Sequence, residues 1–156
     1  MASRSLVPTI TVVDDDEAVR DSMRELLLSH DFAVKTYPSA VAFLAAGEHA
    51  TSGTDCLIID LHMPGVDGLE LLELLWKRRI HLPVIIVTGR SDSALKARAK
   101  NARAIVMLDK PVSEDSLLAA IETGLSQSAR GTDPMDMKSI RLELARDKEH
   151  PNGDPT

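Results

Sequence analysis

Four short segments hold the side chains best suited to chemistry: Asp14-Asp15-Asp16, Asp60, Thr88-Gly89 and Asp109-Lys110-Pro111. Each has an ordinary structural explanation on its own. Three aspartates ahead of a helix can cap it and favour its N-terminal dipole. A single Asp after a strand is a common turn residue, Thr88 and Ser91 can cap a helix, and Lys110 can be a surface charge. Brought together, they have a chemistry. Neighbouring carboxylates repel one another unless a cation or a proton intervenes. Oxygen ligands without His or Cys suit Mg²⁺ or another hard divalent ion rather than zinc. A hydroxyl and an ammonium beside such an ion suit the three oxygens of a phosphoryl group.

Convergence depends on the elements that carry these residues. Short β-branched runs alternate with helical patterns along the chain. Strands are expected at 9–13, 32–37, 56–59, 83–87 and 104–108. The helix after the first strand carries Val19, Met23, Leu26 and Leu27 at helical spacing. Ser39 caps a short helix that Gly47 ends, and Leu-rich 68–79 makes the third helix. The fourth, 91–100, is weakly apolar, and Ser113 caps a fifth bearing Leu117, Leu118, Ile121 and Leu125. Five βα units whose strands are too apolar to face water call for a parallel sheet covered by helices on both faces. The expected fold is therefore α/β: a five-stranded, doubly wound, flavodoxin-like sheet of order 2-1-3-4-5 with five helices, the polar second strand at an edge. In such a sheet ligands bind at the carboxyl ends of the strands, and each of the four segments follows a strand end.

Composition sets the outer limits. Of the 156 residues, 44% are hydrophobic and 27% charged, which fits a globular domain. No apolar run approaches the roughly 18–20 residues that span a bilayer, and the N-terminus has no signal-peptide pattern, so a cytoplasmic location is expected. A single cysteine, Cys56, excludes an internal disulfide and reads as a small buried hydrophobe. A net charge of −6 and 3% aromatics argue against direct nucleic-acid binding.

The motifs resemble the receiver domain of bacterial two-component response regulators, over most of the chain. Val13-Asp14-Asp15-Asp16 looks like that family's acidic pocket and Asp60-Leu61-His62-Met63-Pro64-Gly65-Val66-Asp67-Gly68 like its phosphoacceptor loop. Val87-Thr88-Gly89 resembles its switch segment and Asp109-Lys110-Pro111 its lysine-proline pair. The resemblance implies that Asp60 takes a phosphoryl group from a histidine kinase or a histidine phosphotransfer protein. It implies that Asp14, Asp15, Asp60 and the backbone carbonyl of His62 hold Mg²⁺. Thr88, Gly89 and Lys110 would meet the phosphoryl group, with a cis bond at Pro111. His62 and Arg90 occupy positions that tune phosphoryl lifetime. Such a domain signals by conformational change; it assists its own phosphorylation and dephosphorylation and is not a turnover enzyme. A downstream protein would dock on the fourth helix, fifth strand and fifth helix, the chain being a monomer or weak dimer.

Two features depart from the family pattern. Met107 stands where a switch aromatic is usual. The segment before the fifth strand, where the family often carries Gly, reads Asn101-Ala102-Arg103-Ala104, and with Arg90, Lys96, Arg98 and Lys100 it makes the fourth-helix region basic against one acid, Asp92; this is either a solvated face or a docking surface for an acidic partner. The receiver is expected over 1–127. The remainder, 128–156, is expected to be a tail with a possible helix at 135–148, too short for an effector domain. The rival readings are a haloacid-dehalogenase-like phosphatase and a degenerate receiver serving only protein interaction. The first needs a second Asp two residues after the nucleophile, where this chain has His62.

Overall fold

A computed structural model describes residues 7–131, with side chains to 127; the expected tail helix at 135–148 lies outside the described residues. Five strands, β1 (Thr9–Val13), β2 (Ala33–Tyr37), β3 (Cys56–Asp60), β4 (Val84–Thr88) and β5 (Val106–Asp109), form one sheet in the order β2-β1-β3-β4-β5. All pairs are parallel. The helices are α1 (Glu17–Ser29), α2 (Ala40–Ala45), α3 (Gly47–Ser52), α4 (Gly68–Lys77), α5 (Ser93–Asn101) and α6 (Glu114–Gly131).

Residue type dictates strand position. β3 and β4 are buried at every residue and occupy the middle, whereas β2, with Lys35 and Thr36, is half-buried throughout and lies at the edge. Alternate side chains of a strand point to opposite faces, and two cores result. Leu57, Ile59, Val84 and Ile86 pack with Phe43, Leu69, Leu72 and Leu75 on the α2–α5 face. Cys56, Ile58, Ile85 and Val87 pack with Leu27, Leu117 and Ile121 on the α1/α6 face. Each fully buried aliphatic side chain contributes about 1.5–3 kcal/mol. The Cys56 thiol, wholly enclosed, has its pKa pushed up to about 12, chiefly by burial, and remains an inert thiol.

Among the described residues, six helices stand where five were expected. Gly47 ends α2 as anticipated, but at φ 66° it turns the chain directly into a second short helix, α3. The start of α5 also differs. Asp92 caps it by accepting from the Leu95 N–H at 2.8 Å, while Ser91 is hydrogen-bonded elsewhere. α4 ends at Lys77 rather than 79, and α5 runs to Asn101, one residue past the expected 100; Arg79 and Arg103 form their closures. Asp31, Arg79 and Arg103, at φ 67°, 61° and 69°, are the non-glycine residues of positive φ among the described residues. Each follows a helix, and the same paired bonds recur. The N–H of Arg79 donates to the Trp76 carbonyl and that of Ile80 to Leu75, while those of Arg103 and Ala104 donate to Lys100 and Ala99.

Close approach at Gly68 ties α4 to the end of β3. Its N–H donates to the Leu61 carbonyl at 3.0 Å. A Cβ there would stand 2.8 Å from the Asp60 carbonyl oxygen and 2.9 Å from Ile59 Cγ2. Backbone cannot yield as a side chain does, so Gly68→Ala should destabilise the fold by about 1–3 kcal/mol. Urea denaturation measures this; an unchanged midpoint would mean that the loop after Asp60 is free to shift.

Candidate functional site

The parallel register places Asp60 opposite Val87 and Thr88 opposite Asp109, so the ends of β3, β4 and β5 share one rim with the residue after β1. Asp14 and Asp60 are 3% and 5% exposed, whereas Asp15 is exposed. One carboxylate oxygen from each of Asp14, Asp15 and Asp60 lies within 4.8 Å of the others. The Lys110 ammonium stands 3.3 Å from Asp60 Oδ1 and 3.8 Å from Asp14 Oδ2. The closer contact is an ion pair without hydrogen-bond alignment, which leaves the buried Oδ1 of Asp60 with no hydrogen-bond partner.

The aspartate triplet divides by role. Asp16 accepts from the N–H groups of Ala18 and Val19, and is therefore the cap of α1. Asp14 is locked in place: its Oδ1 accepts from the Asp16 N–H at 2.9 Å, its N–H donates to Tyr37, and its carbonyl accepts from Arg20 Nη1 at 2.7 Å. Arg20 is a positioning group that sequence reasoning missed. Its only signal was a place in the first turns of α1, six residues beyond Asp14.

Burial raises the carboxyl pKa of both Asp14 and Asp60, and neighbouring carboxylates raise them further. Lys110 opposes both shifts without cancelling them. Enclosed carboxylates, an oxygen-only donor set and a buried carboxylate oxygen without a hydrogen bond fit a hard divalent cation.

Thr88 is turned into its own loop. Its hydroxyl donates to the Arg90 carbonyl at 2.8 Å and accepts from the Arg90 N–H at 3.0 Å. His62, exposed, places Nε2 3.4 Å from the same carbonyl. Gly89 is exposed, and a Cβ there would meet nothing within 4 Å. Ser91 donates to Asp109 Oδ1 at 2.6 Å, joining the β4–α5 loop to the end of β5; this pairing was not foreseen, although both residues stood out. The Lys110–Pro111 bond is cis. Met107 lies within β5 opposite Ile86 and packs against the α2–α5 core, away from the rim.

A shallow groove of about 330 Å³ adjoins the rim. Ala18, Val19 and Met23 of α1 line one side, and Lys110, Pro111 and Val112 the other. Among the described residues, no helix is long and apolar enough to cross a membrane.

A family model, response regulator receiver domain, matches residues 10–122. The transcriptional regulatory protein FixJ of Azorhizobium caulinodans is 40% identical over 130 residues, covering 83% of this chain and 61% of that protein. TdiR of Thauera aromatica, also a transcriptional regulatory protein, is 35% identical over 136 residues, covering 87% and 59%. The chain thus spans about three fifths of the length of such relatives. Among solved structures, the response regulator StyR superposes with a TM-score of 0.76 at 38% identity, covering 88% of this chain and 68% of that one. A structure titled FixJ-N gives 0.71 at 35%, covering 78% and 96%. Fold, acidic pocket and relatives agree, and neither rival reading is favoured: the chain belongs to the response regulator receiver domain family.

Proposed function

We propose that Asp60 is the phosphoacceptor of a two-component phosphorelay, receiving its phosphoryl group from a histidine kinase or a histidine phosphotransfer protein. The observation that carries this is the buried Asp60 Oδ1, which has an ion pair with Lys110 as its contact and two further carboxylates beside it. The carboxylate oxygen attacks phosphorus as the phosphorus–nitrogen bond of the donor phosphohistidine breaks. The electron pair leaves with the imidazole, and Asp60 becomes an acyl phosphate. Lys110 pairs with the transferring oxygens. Open space beside Gly89 accommodates them.

Asp15 and Asp60 would hold the cation directly, Asp14 through water, with the His62 carbonyl completing the protein ligands. Mg²⁺, the hard ion that best suits this set, supplies neutralising charge when bound. Acetyl phosphate should therefore add one acid-stable, base-labile phosphoryl group in the presence of Mg²⁺. Asp60→Asn should abolish it; labelling that persists at another residue would move the assignment.

Signalling would begin when the Thr88 hydroxyl leaves Arg90 for the phosphoryl oxygens. That breaks both bonds to the Arg90 backbone, two residues before the α5 cap. Movement of α5 would then reach a downstream protein over the α5, β5 and α6 face. Met107 offers a flexible side chain there and no ring to flip. His62 and Arg90, flanking the loop, would set acyl phosphate lifetime. We place this exchange in the cytoplasm, between proteins and without direct nucleic-acid contact, by a monomer or weak dimer whose receiver ends near 127.

A phosphohistidine arrives on a protein, so transfer needs a surface as well as a pocket. The groove between α1 and Val112 supplies one beside Lys110. Val19→Glu should slow transfer from the cognate kinase by about tenfold, the scale of one lost apolar contact residue. Labelling by acetyl phosphate should not change. Equal slowing with both donors would show damage to the pocket rather than to docking.

The site also sets a stability cost with a defined sign. Asp14 and Asp60 have folded pKa values above the ordinary 3.8. Between those values the folded chain binds more protons than the unfolded one. This contribution is therefore present below the unfolded pKa and lost as pH rises through the folded pKa. Without metal at pH 7, Asp60→Asn should raise Tm, and the gain should shrink on acidification. Mg²⁺ should raise the Tm of the wild type more than that of the variant. A lower Tm for the metal-free variant at pH 7 would show that the Lys110 pair outweighs burial.

A further inference from the structure

Charge is unevenly distributed along this chain. Residues 77–103 hold eight of its 18 Lys and Arg but one of its 24 Asp and Glu. Arg90 belongs to the phosphoryl rim. The others lie on α5 or at the helix closures next to β4 and β5. Helices run back against the strands, so the closures at Arg79 and Arg103 sit where strands begin, at the opposite end of the sheet from Asp60.

Favourable placement of cations near helix C-termini explains part of this. It does not explain arginine at the left-handed positions 79 and 103, where glycine or asparagine fits with less strain. Arg103 also lies over the Trp76 ring, its guanidinium carbon 4.9 Å from the centroid, and His81 packs on that ring at 4.0 Å. Beside them, Glu73, Trp76, Arg98, Asn101 and Arg103 line an open groove of about 430 Å³ between α4 and α5. Among the described residues, Arg98 pairs with Glu73, at 3.5 Å, with both side chains 47% exposed. Exposed pairs of this kind are weak and exchange partners readily.

We propose that the α4–α5 groove docks an acidic segment of a partner protein, with Arg98 and Arg103 pairing its carboxylates over Trp76. Tryptophan flanked by arginines is the composition of an interface hot spot. Arg103 is presented already ordered by the ring, which reduces the entropy lost on pairing. A polypeptide suits the groove better than a nucleic acid does. Glu73 can accept a peptide N–H, a donor that a phosphate backbone lacks. Outside 77–103 the chain carries ten cations against twenty-three acids, which repel a long polyanion. Trp76, packed by His81 and Arg103, is poorly placed as a base-stacking platform.

The test uses the full chain, a fluorescein-labelled Glu/Leu peptide, its Gln/Leu counterpart and a single-stranded thymidine oligonucleotide. At low ionic strength the Glu/Leu peptide should bind and change Trp76 emission, its affinity falling as salt is added. The Gln/Leu peptide should not bind. Arg98→Glu combined with Arg103→Glu should weaken binding by about tenfold or more. Arg24→Glu, on exposed α1, should leave it unchanged. Arg103→Gly relieves the left-handed backbone, and it should retain the fold by circular dichroism while losing affinity. Acetyl phosphate labelling should persist in each variant, separating damage here from damage at the phosphoryl rim. Absence of Glu/Leu binding, or equal weakening by Arg24→Glu, would overturn the proposal. Tighter binding of the oligonucleotide through Arg98 and Arg103 would assign the groove to nucleic acid instead.

Discussion

The rim of the sheet is governed by the repulsion among Asp14, Asp15 and Asp60. Two of these carboxylates are buried, and among the described residues the cation paired with them is Lys110, itself about a third exposed. A pocket of this kind costs stability unless something external completes it, a proton at low pH or a cation and then a phosphoryl group. Much of the neighbouring structure can be understood as holding that pocket closed. β3 is buried on both faces, so Asp60 cannot swing out to water. Arg20 and the Asp16 N–H fix Asp14 from either side. Gly68 brings α4 against the Asp60 carbonyl, where any larger residue would push the loop away.

The same rim is joined to a surface through a short chain of hydrogen bonds. Thr88 holds Arg90, Ser91 holds Asp109, and Asp92 caps α5. Asp109 directly precedes Lys110. A change at either the hydroxyl of Thr88 or the ammonium of Lys110 therefore strains the one loop that begins α5. Behind that loop the interior faces of β4 and β5 are filled by Ile85, Ile86, Val87 and Met107. The region able to respond is the β4–α5 loop, which is held by the side-chain hydrogen bonds of Thr88, Ser91 and Asp92 and has exposed Gly89 and Arg90 at its centre. Regions of that description open most easily.

The sequence made the sheet legible because its strands differ in kind. Ile58-Ile59 and Ile85-Ile86-Val87 are apolar without interruption, and Val34-Lys35-Thr36 is not, which distinguishes the centre from the edge. The carboxylates were legible because each stands at the end of such a run. What escaped notice was local and depended on geometry. A glycine that ends one helix reads the same whether or not another follows, so α3 was not visible at Gly47. Ser91 and Asp92 are both good caps, and only the position of Asp109 decides between them. Arg20 carries no type-specific signal, since an arginine on the first turns of an exposed helix is ordinary until its reach to the Asp14 carbonyl is known. Arg103 was visible as a charge, but not as a residue at positive φ stacked on a tryptophan twenty-seven positions earlier.

One property of parallel sheets places the two surfaces at opposite ends. Because every strand points the same way, the helices that follow them also begin together and end together. Asp16, Asp67, Asp92 and Ser113 cap their helices on the side of the carboxylates. The partial positive charge of those N-termini softens the repulsion at the rim. At the far side the carbonyl ends of α4 and α5 gather cations, with Lys77 in the last turn of one and Arg98 and Lys100 in the last turn of the other. The backbone therefore favours acids at one end of the sheet and bases at the other before any ligand is considered. The sequence goes further than this bias requires. At the rim it buries its acids, and at the far end it sets Arg79 and Arg103 in a backbone conformation that favours glycine. In both places a local cost is retained where a solvated charge or a glycine would have avoided it, and Lys110 at the rim and Arg103 at the far end each line a concavity large enough to receive another molecule.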